Sequence, residues 1–171
     1  MTEFDVIVIG AGPGGYVAAI RCAQLGLNTA CVDAWRSDDG KASLGGTCLN
    51  VGCIPSKALL DSSHHYHNLQ HVLPAHGISV KSASIDVAAM IARKDQVVQN
   101  LTRGISGLLR KNKVTTIAGT AQFKDARTVT VELHDGRVDE LSAPNIIVAT
   151  GSVPVAIAPA PVDGERIVDN V

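Results

Sequence analysis

The sequence predicts an α/β fold: a parallel sheet flanked by helices, with a small antiparallel β-meander attached. Three observations carry that prediction. Short apolar runs, Val6-Ile7-Val8-Ile9 and the stretch 145–149, lack the polar alternation of a half-solvated strand and read as buried parallel strands. A glycine-rich turn, Gly10-Ala11-Gly12-Pro13-Gly14-Gly15, joins the first run to a helical pattern and then to another strand, the order of a βαβ unit. Asp135-Gly136, set between two further strand patterns, is a tight-turn signal for a hairpin.

In chain order, residues 4–9 are expected as the first strand. Helical spacing follows over 16–25, through Val17, Ala18, Ile20, Cys22, Ala23 and Leu25, and Gly26 fits the C-cap. Residues 28–33 form the second strand, and a loop then runs through Ser37-Asp38-Asp39-Gly40. Pro55 suits the first turn of a helix, where a missing N–H costs nothing, so a helix is expected over 56–72 with Pro74 as its stop. A longer helix is expected from an Asp86 cap to about Asn112. Its seam is Met90, Ile91, Val97, Val98, Leu101, Ile105, Leu108 and Leu109, weakened by Gly104 and Gly107. Strands at 114–119, 128–134 and 137–141 come next, then 145–149 as a buried strand ending in Thr150-Gly151. Residues 1–151 are expected as one domain, and 152–171, with three prolines and no clear element, as a linker.

Composition narrows the function classes. A chain of 171 residues with 46% hydrophobic and 18% charged residues suits one soluble α/β domain with a buried core. A net charge of -1 creates no field to draw in nucleic acid or an anionic membrane, and 3% aromatic residues leave few platforms for stacking bases. No apolar run approaches the roughly 20 residues of a bilayer span. The run at 6–9, behind Glu3 and Asp5, is too short for a signal-peptide core. The expectation is a cytoplasmic protein, or an organelle-matrix one if a presequence was removed, with neither nucleic-acid nor membrane partners. Cys22 and Cys31 lie in apolar contexts and are read as small buried hydrophobes.

The glycine fingerprint points to a dinucleotide. Gly10 permits the tight turn, Gly12 lets the backbone approach a pyrophosphate, and Gly15 allows close helix–strand packing. The helix that follows offers free N–H groups and a positive dipole end to phosphate. Asp33, about 20 residues on at the end of the second strand, is placed to accept hydrogen bonds from ribose hydroxyls. GxGxxG alone is weak, but strand, fingerprint, helix, strand and acid stand in the correct order. These residues do not distinguish NAD from FAD.

Cys48 and Cys53 are framed as Gly45-Gly46-Thr47-Cys48-Leu49-Asn50-Val51-Gly52-Cys53-Ile54-Pro55-Ser56-Lys57. Their spacing can close a small disulfide ring. A helix opening near Pro55 would put Cys53 at its positive end and favour thiolate, with Lys57 one turn further. The residues alone leave three readings open: a redox dithiol, two ordinary thiols beside a solvated lysine, or half a zinc site whose second ligand pair is not evident. His64, His65, His67, His71 and His76 raise a metal question as well, since His64, His67 and His71 share a helix face. Asp61 is the only carboxylate nearby, so no metal is expected there, and the histidines are read as surface or interface residues.

The segment 45–57 and its continuation Ala58-Leu59-Leu60-Asp61-Ser62-Ser63-His64 resemble the redox-disulfide region of the pyridine nucleotide–disulfide oxidoreductases. The resemblance runs from the Gly10 fingerprint to Ala149-Thr150-Gly151-Ser152. Leu49, Ile54 and Ser56 resemble the branch that oxidises dihydrolipoamide; glutathione and mercuric ion branches tend to carry valine at the first two positions. The resemblance implies a Rossmann-like FAD-binding domain and FAD as the cofactor. Asp33 would meet the adenosine ribose, where the family usually has glutamate. Gly14, Gly46 and Thr47 would join the cofactor contacts. Cys48 would be the interchange thiol that meets lipoamide, and Cys53 the thiol facing the flavin. Lys57 would lie near the flavin ring, Gly119 and Ala121 near the adenine, and Thr150 and Gly151 in a turn beside the cofactor.

The implied reaction carries electrons from dihydrolipoamide, through a Cys48–Cys53 disulfide and FAD, to NAD. Implied partners are lipoyl domains of 2-oxo acid dehydrogenase or glycine cleavage complexes, and a second copy in a homodimer. Family members continue into an NAD-binding domain, a return to the FAD domain and an interface domain with a His–Glu acid–base pair. This sequence has no second GxGxxG, so it is read as the N-terminal portion, with 152–171 leading toward the NAD-binding domain. Two alternatives stand beside that reading: a truncated FAD-binding module without turnover, and a family member acting on mercuric ion or glutathione.

Overall fold

The computed structural model describes residues 1–37 and 39–170; Asp38 of the expected loop and Val171 of the expected linker lie outside the described residues. The chain runs through β1 (Thr2–Glu3), β2 (Val6–Ile9), α1 (Pro13–Gln24), β3 (Thr29–Asp33), α2 (Gly46–Asn50) and α3 (Cys53–His71). A 3-10 turn (Leu73–His76) leads to α4 (Val87–Lys111), β4 (Thr115–Phe123), β5 (Thr128–Leu133), β6 (Val138–Ser142) and β7 (Asn145–Val148). The strands form one seven-stranded sheet in the order β1-β6-β5-β4-β3-β2-β7.

The middle of the sheet explains why β2 shows no polar alternation. Val6 and Val8 point into a cluster with Ala19 of α1, Cys31, Leu49 of α2, and Ile105 and Leu109 of α4. Ile7 and Ile9 point the other way, into a cluster with Ala30, Val32, Val129, Val131 and Leu141. Helices therefore cover one face and the meander covers the other, so every residue of β2 is buried. Each fully buried Val or Ile stabilises the fold by about 1.5–3 kcal/mol.

β4 joins the two halves. Its first part pairs parallel with β3, Ala30↔Thr115 to Asp33↔Ala118. From Gly119 onward it pairs antiparallel with β5. The sequence suggested a strand ending at Gly119; it continues to Phe123, because a glycine is what this crossing requires. A Cβ at Gly119 would lie 2.4 Å from the Glu132 carbonyl oxygen. The hairpin expected at Asp135-Gly136 forms, with Gly136 at φ +85° donating its N–H to the Leu133 carbonyl at 2.9 Å.

Several expected boundaries move. α1 begins at Pro13 rather than Tyr16, since proline at the first helical position has a suitable φ and glycines in the first turn hide the periodicity. Gly26, at φ +86°, lies one residue beyond the Leu25 C-cap. α3 begins at Cys53 rather than 56, with Pro55 still in its first turn. β1 and α2 were not expected; both are too short to show a period. β7 is not a buried strand. It is the edge of the sheet, paired with β2 alone, and Val148 is 59% exposed.

α4 starts where the cap predicts, with the Asp86 carboxylate accepting the Ala89 N–H at 2.9 Å. Its seam is only partly covered: Ile105 and Leu109 are buried, while Ile91, Leu101 and Leu108 are exposed. The N-terminal half lies against α3 instead of the sheet. There the Arg93 guanidinium donates to the Ala58 carbonyl at 3.2 Å and to the Asp61 carboxylate at 2.9 Å. Residues 152–170 form no helix or strand and are exposed.

Candidate functional site

The turn after β2 is shaped by two glycines that the fold itself demands. Gly10 has φ +103°, and a Cβ there would sit 2.3 Å from the Ala149 carbonyl oxygen. A Cβ at Gly15 would sit 1.8 Å from the Gly10 carbonyl oxygen, so α1 can approach the strand only without one. Gly12 and Gly14 are different. Gly12 has φ -67°, and the nearest atom to a Cβ there is the Gly46 Cα at 3.9 Å; Gly14 has nothing within 4 Å. No side chain caps α1, so its first-turn N–H groups have no side-chain partner.

Asp33, at the end of β3, reaches the same turn. One carboxylate oxygen accepts the Ala11 N–H, and the other accepts the Trp35 N–H at 2.8 Å. The acid therefore clamps the fingerprint loop to the loop after β3. Gly119 follows Ala118, the register partner of Asp33, while Ala121 packs against the meander core. On the other side, the Thr150 nitrogen lies 3.1 Å from where a Gly10 Cβ would be, and Gly151 turns at φ +74° with open space around it. Gly10, Gly12, Gly14, Gly15, Asp33, Gly119, Thr150 and Gly151 thus gather at the carboxyl ends of parallel strands β2, β3 and β7, the usual crevice of such sheets, while Gly46, Thr47 and Lys57 lie on the helices that follow. Ala121 is set back from that crevice, along β4.

The second wall is the cysteine segment. Gly45, at φ +108°, donates its N–H to the Ala11 carbonyl at 2.9 Å. Gly46, at φ +59°, lies so close that a Cβ would be 2.8 Å from the Gly12 Cα. α2 starts at this glycine-on-glycine contact and carries Thr47 and Cys48. After a turn at Val51-Gly52, Cys53 is the first residue of 19-residue α3. Cys48 and Cys53 form a disulfide with their Cα atoms 4.6 Å apart. Cys48 is half-buried against the helix-side core and Cys53 is exposed. Lys57 is exposed one turn further along α3.

Asn50 is a residue that sequence reasoning missed. It is the only polar side chain between the two cysteines, and that was the available signal. Its Oδ1 accepts the Ser43 hydroxyl at 2.7 Å, and its Nδ2 donates to the Gly46 carbonyl at 2.9 Å and the Leu44 carbonyl at 3.3 Å. Asn50 and Val51 also border a cleft of about 900 Å³, together with Trp35, Pro55, Val98 and Arg103. No residue of the glycine-rich turn lines that cleft, so the two are distinct.

The other cysteines are structural. Burial, with the Asp33 charge adding to it, pushes the Cys31 thiol up to about 12, so it stays neutral and unreactive. Cys22 packs half-buried beside the helix-side core. Among the described residues, no three His, Cys, Asp or Glu side chains gather as metal ligands. The His67 and His71 rings face each other at 4.4 Å, and Asp61 pairs with Arg93 and, at 3.6 Å, with His65. Among the described residues, no helix is long and apolar enough to cross a membrane.

Comparison with known proteins agrees with this geometry. Residues 4–171 match the family model described as pyridine nucleotide-disulphide oxidoreductase. The chain is 51% identical, over 98% of its length, to dihydrolipoyl dehydrogenase 1, mitochondrial, of Arabidopsis thaliana. It is 52% identical over 98% of its length to dihydrolipoyl dehydrogenase of Cupriavidus necator, and 48% identical to leghemoglobin reductase of Vigna unguiculata. The chain spans about a third of each of these relatives, 32%, 36% and 31% of their lengths respectively.

Proposed function

The chain belongs to the pyridine nucleotide-disulphide oxidoreductase family, and from that premise we propose that it is the FAD-binding and disulfide portion of a dihydrolipoamide dehydrogenase. One observation carries the reading: α2, which carries Cys48 of the disulfide, begins at Gly46, and Gly46 packs directly on Gly12 of the nucleotide fingerprint. A dinucleotide whose pyrophosphate lies on that fingerprint is therefore a neighbour of the two sulfurs.

The residues fit such a cofactor. Gly12 and Gly14 leave the space that a side chain would fill, and the uncapped start of α1 supplies donors to phosphate. Asp33 would hold the adenosine ribose. Gly10, Gly15, Gly46, Thr47, Lys57, Gly119, Ala121, Thr150 and Gly151 would complete the contacts. When bound, FAD supplies two-electron chemistry between the dithiol and NAD.

The chain's own part is thiol–disulfide exchange. Cys53 stands at the positive end of α3, with the Lys57 ammonium one turn away, so its thiolate is stabilised and it is the better leaving group. Attack therefore falls on Cys48. A dihydrolipoamide thiolate bonds to Cys48 Sγ, the Cys48–Cys53 bond breaks, and Cys53 departs with the electron pair. The second substrate sulfur, also deprotonated, attacks the first within the mixed disulfide and releases Cys48 as thiolate. Lipoamide leaves oxidised, both cysteines are reduced, and two protons have left the substrate thiols.

Residues 1–151 form the FAD-binding domain in this proposal, and 152–171 lead toward an NAD-binding domain in the longer protein. The partners are lipoyl domains of 2-oxo acid dehydrogenase or glycine cleavage complexes, and a second subunit in a homodimer. The compartment is cytoplasm or an organelle matrix, in keeping with bacterial and mitochondrial relatives. The one-third coverage of those relatives favours a second reading for the isolated chain, which binds FAD without completing turnover. Action on glutathione or mercuric ion is the substrate alternative, and Leu49 and Ile54 argue against it.

The test is a visible spectrum of the purified chain with added FAD, before and after titration with dithionite. A protein-bound flavin band that takes up two extra electrons per chain, lost in Cys48→Ser while flavin remains bound, supports the proposal. A protein that stays colourless after FAD is added overturns flavin binding by this chain. In the longer protein, lipoamide turnover by Cys48→Ser at the wild-type rate would overturn the interchange role.

A further inference from the structure

We propose that Asn50 is a positioning residue for the redox pair: its three hydrogen bonds keep the Cys48–Cys53 ring folded after the sulfur–sulfur bond opens, and so hold the pair toward the disulfide at equilibrium. The inference rests on the redox reading of these cysteines and assigns a task to the one polar side chain inside their ring.

The oxidised ring is held covalently. Once reduced, the segment between the cysteines keeps one apolar anchor, Leu49 in the helix-side core, and its polar backbone needs ties of its own. α2 is five residues long, far below the length at which a helix stands alone in water. Gly52 joins it to α3 and lies so close to α2 that a Cβ there would be 2.9 Å from the Thr47 carbonyl oxygen. One local backbone bond spans the turn, Val51 N–H to the Thr47 carbonyl at 3.0 Å.

Asn50 supplies the polar ties that accompany the Leu49 anchor. Its contact with the Gly46 carbonyl ties the end of α2 to its own start, and its contacts with Ser43 and Leu44 tie the ring to the segment entering it. Gly45 and Gly46 are in turn fixed on Ala11 and Gly12. Asn50 thus connects the sulfur ring to the nucleotide turn through hydrogen bonds that do not depend on the state of the sulfurs. With Asn50 in place, the reduced thiols stay as close as the 4.6 Å Cα separation sets them, and re-oxidation carries little entropic cost.

Removing the amide lets the reduced segment gain freedom that the oxidised ring cannot share. The equilibrium with a reference dithiol then moves toward the reduced form. A shift of about tenfold, equal to about 30 mV for this two-electron couple, is the expected size for Asn50→Ala. Ser43→Ala removes only the partner of Oδ1 and shifts the equilibrium in the same direction by about twofold to threefold, in keeping with the loss of a single neutral hydrogen bond.

The experiment equilibrates the 171-residue chain with mixtures of reduced and oxidised dithiothreitol, quenches with acid, alkylates free thiols and counts modified cysteines by mass. Circular dichroism melting is recorded alongside. A purely structural asparagine would lower the melting temperature and leave the thiol equilibrium where it was. Shifts of the stated order and direction support the inference; wild-type equilibria in both variants overturn it. If Asn50→Ala does not fold, Ser43→Ala decides alone on the same criterion. A wild-type chain whose pair never cycles would overturn the redox reading and this inference together, whereas cycling wild type with unshifted variants removes only the role of Asn50.

Discussion

Gly12→Ala and Gly15→Ala form a pair that separates glycines kept for the fold from glycines kept for a ligand. At Gly15 the added carbon would sit 1.8 Å from the Gly10 carbonyl oxygen, a rigid main-chain atom, so α1 must move off the sheet. Overpacking typically costs about 1–3 kcal/mol, and a backbone clash this deep is expected at about 3 kcal/mol or more. At Gly12 the added carbon meets nothing nearer than 3.9 Å, and φ -67° with ψ -179° is open to alanine. That variant should be as stable as wild type or more so by about 0.5 kcal/mol, through the lower entropy of its unfolded chain. The same methyl occupies the place where a pyrophosphate would meet the main chain. Loss of about 1.4–3 kcal/mol of binding, a factor of about 10 to 150 in FAD affinity, is expected. Urea unfolding followed by far-UV circular dichroism measures the first quantity, and quenching of flavin fluorescence on titration measures the second. Equal destabilisation by the two substitutions, or undiminished FAD affinity in Gly12→Ala, would refute the division.

Two further predictions concern the rest of the molecule. The Cys31 thiol is raised from 9.0 to about 12. The unfolded chain therefore loses this proton at lower pH than the folded one, and the stability it contributes, complete below about pH 9, is lost as pH rises toward 12. Within that window the slope from this group approaches about 1.4 kcal/mol per pH unit. Denaturant midpoints measured across it should flatten in Cys31→Ala relative to wild type, and an unchanged slope would show that burial does not act on this thiol. Lys113, just past the Asn112 C-cap of α4, is the only non-glycine residue at positive φ among the described residues, at +60°. Lys113→Gly should stabilise the chain by about 1 kcal/mol by removing the left-handed strain of a Cβ; thermal unfolding checks it, and a lower midpoint would contradict the argument.

The chain by itself determined the local chemistry. The order of strand, Gly10–Gly15 turn, helix, strand and Asp33 was legible because each part has a sequence signature set by backbone sterics or by periodicity. So were the Asp86 cap and the Asp135-Gly136 hairpin, and the spacing of Cys48 and Cys53 allowed the ring that forms. What only the tertiary structure decided depends on contacts between distant residues, which no local pattern records. β7 is an edge because the sheet ends beside β2, although its residues read as a buried strand. α4 buries Ile105 and Leu109 yet leaves Ile91, Leu101 and Leu108 exposed because its first half lies on α3, and an amphipathic seam does not say what will cover it. Gly119 reads as a strand end but is a glycine because another strand's carbonyl comes within 2.4 Å of its missing side chain. Asp33 reads as a sugar ligand, and folding also makes it the clamp of the fingerprint loop. Asn50 carried no recognised signal until Ser43, Leu44 and Gly46 closed around it. Residue types and spacings specify which groups are available, and the close approach of Gly46 to Gly12 sets the glycine-rich turn beside the disulfide segment.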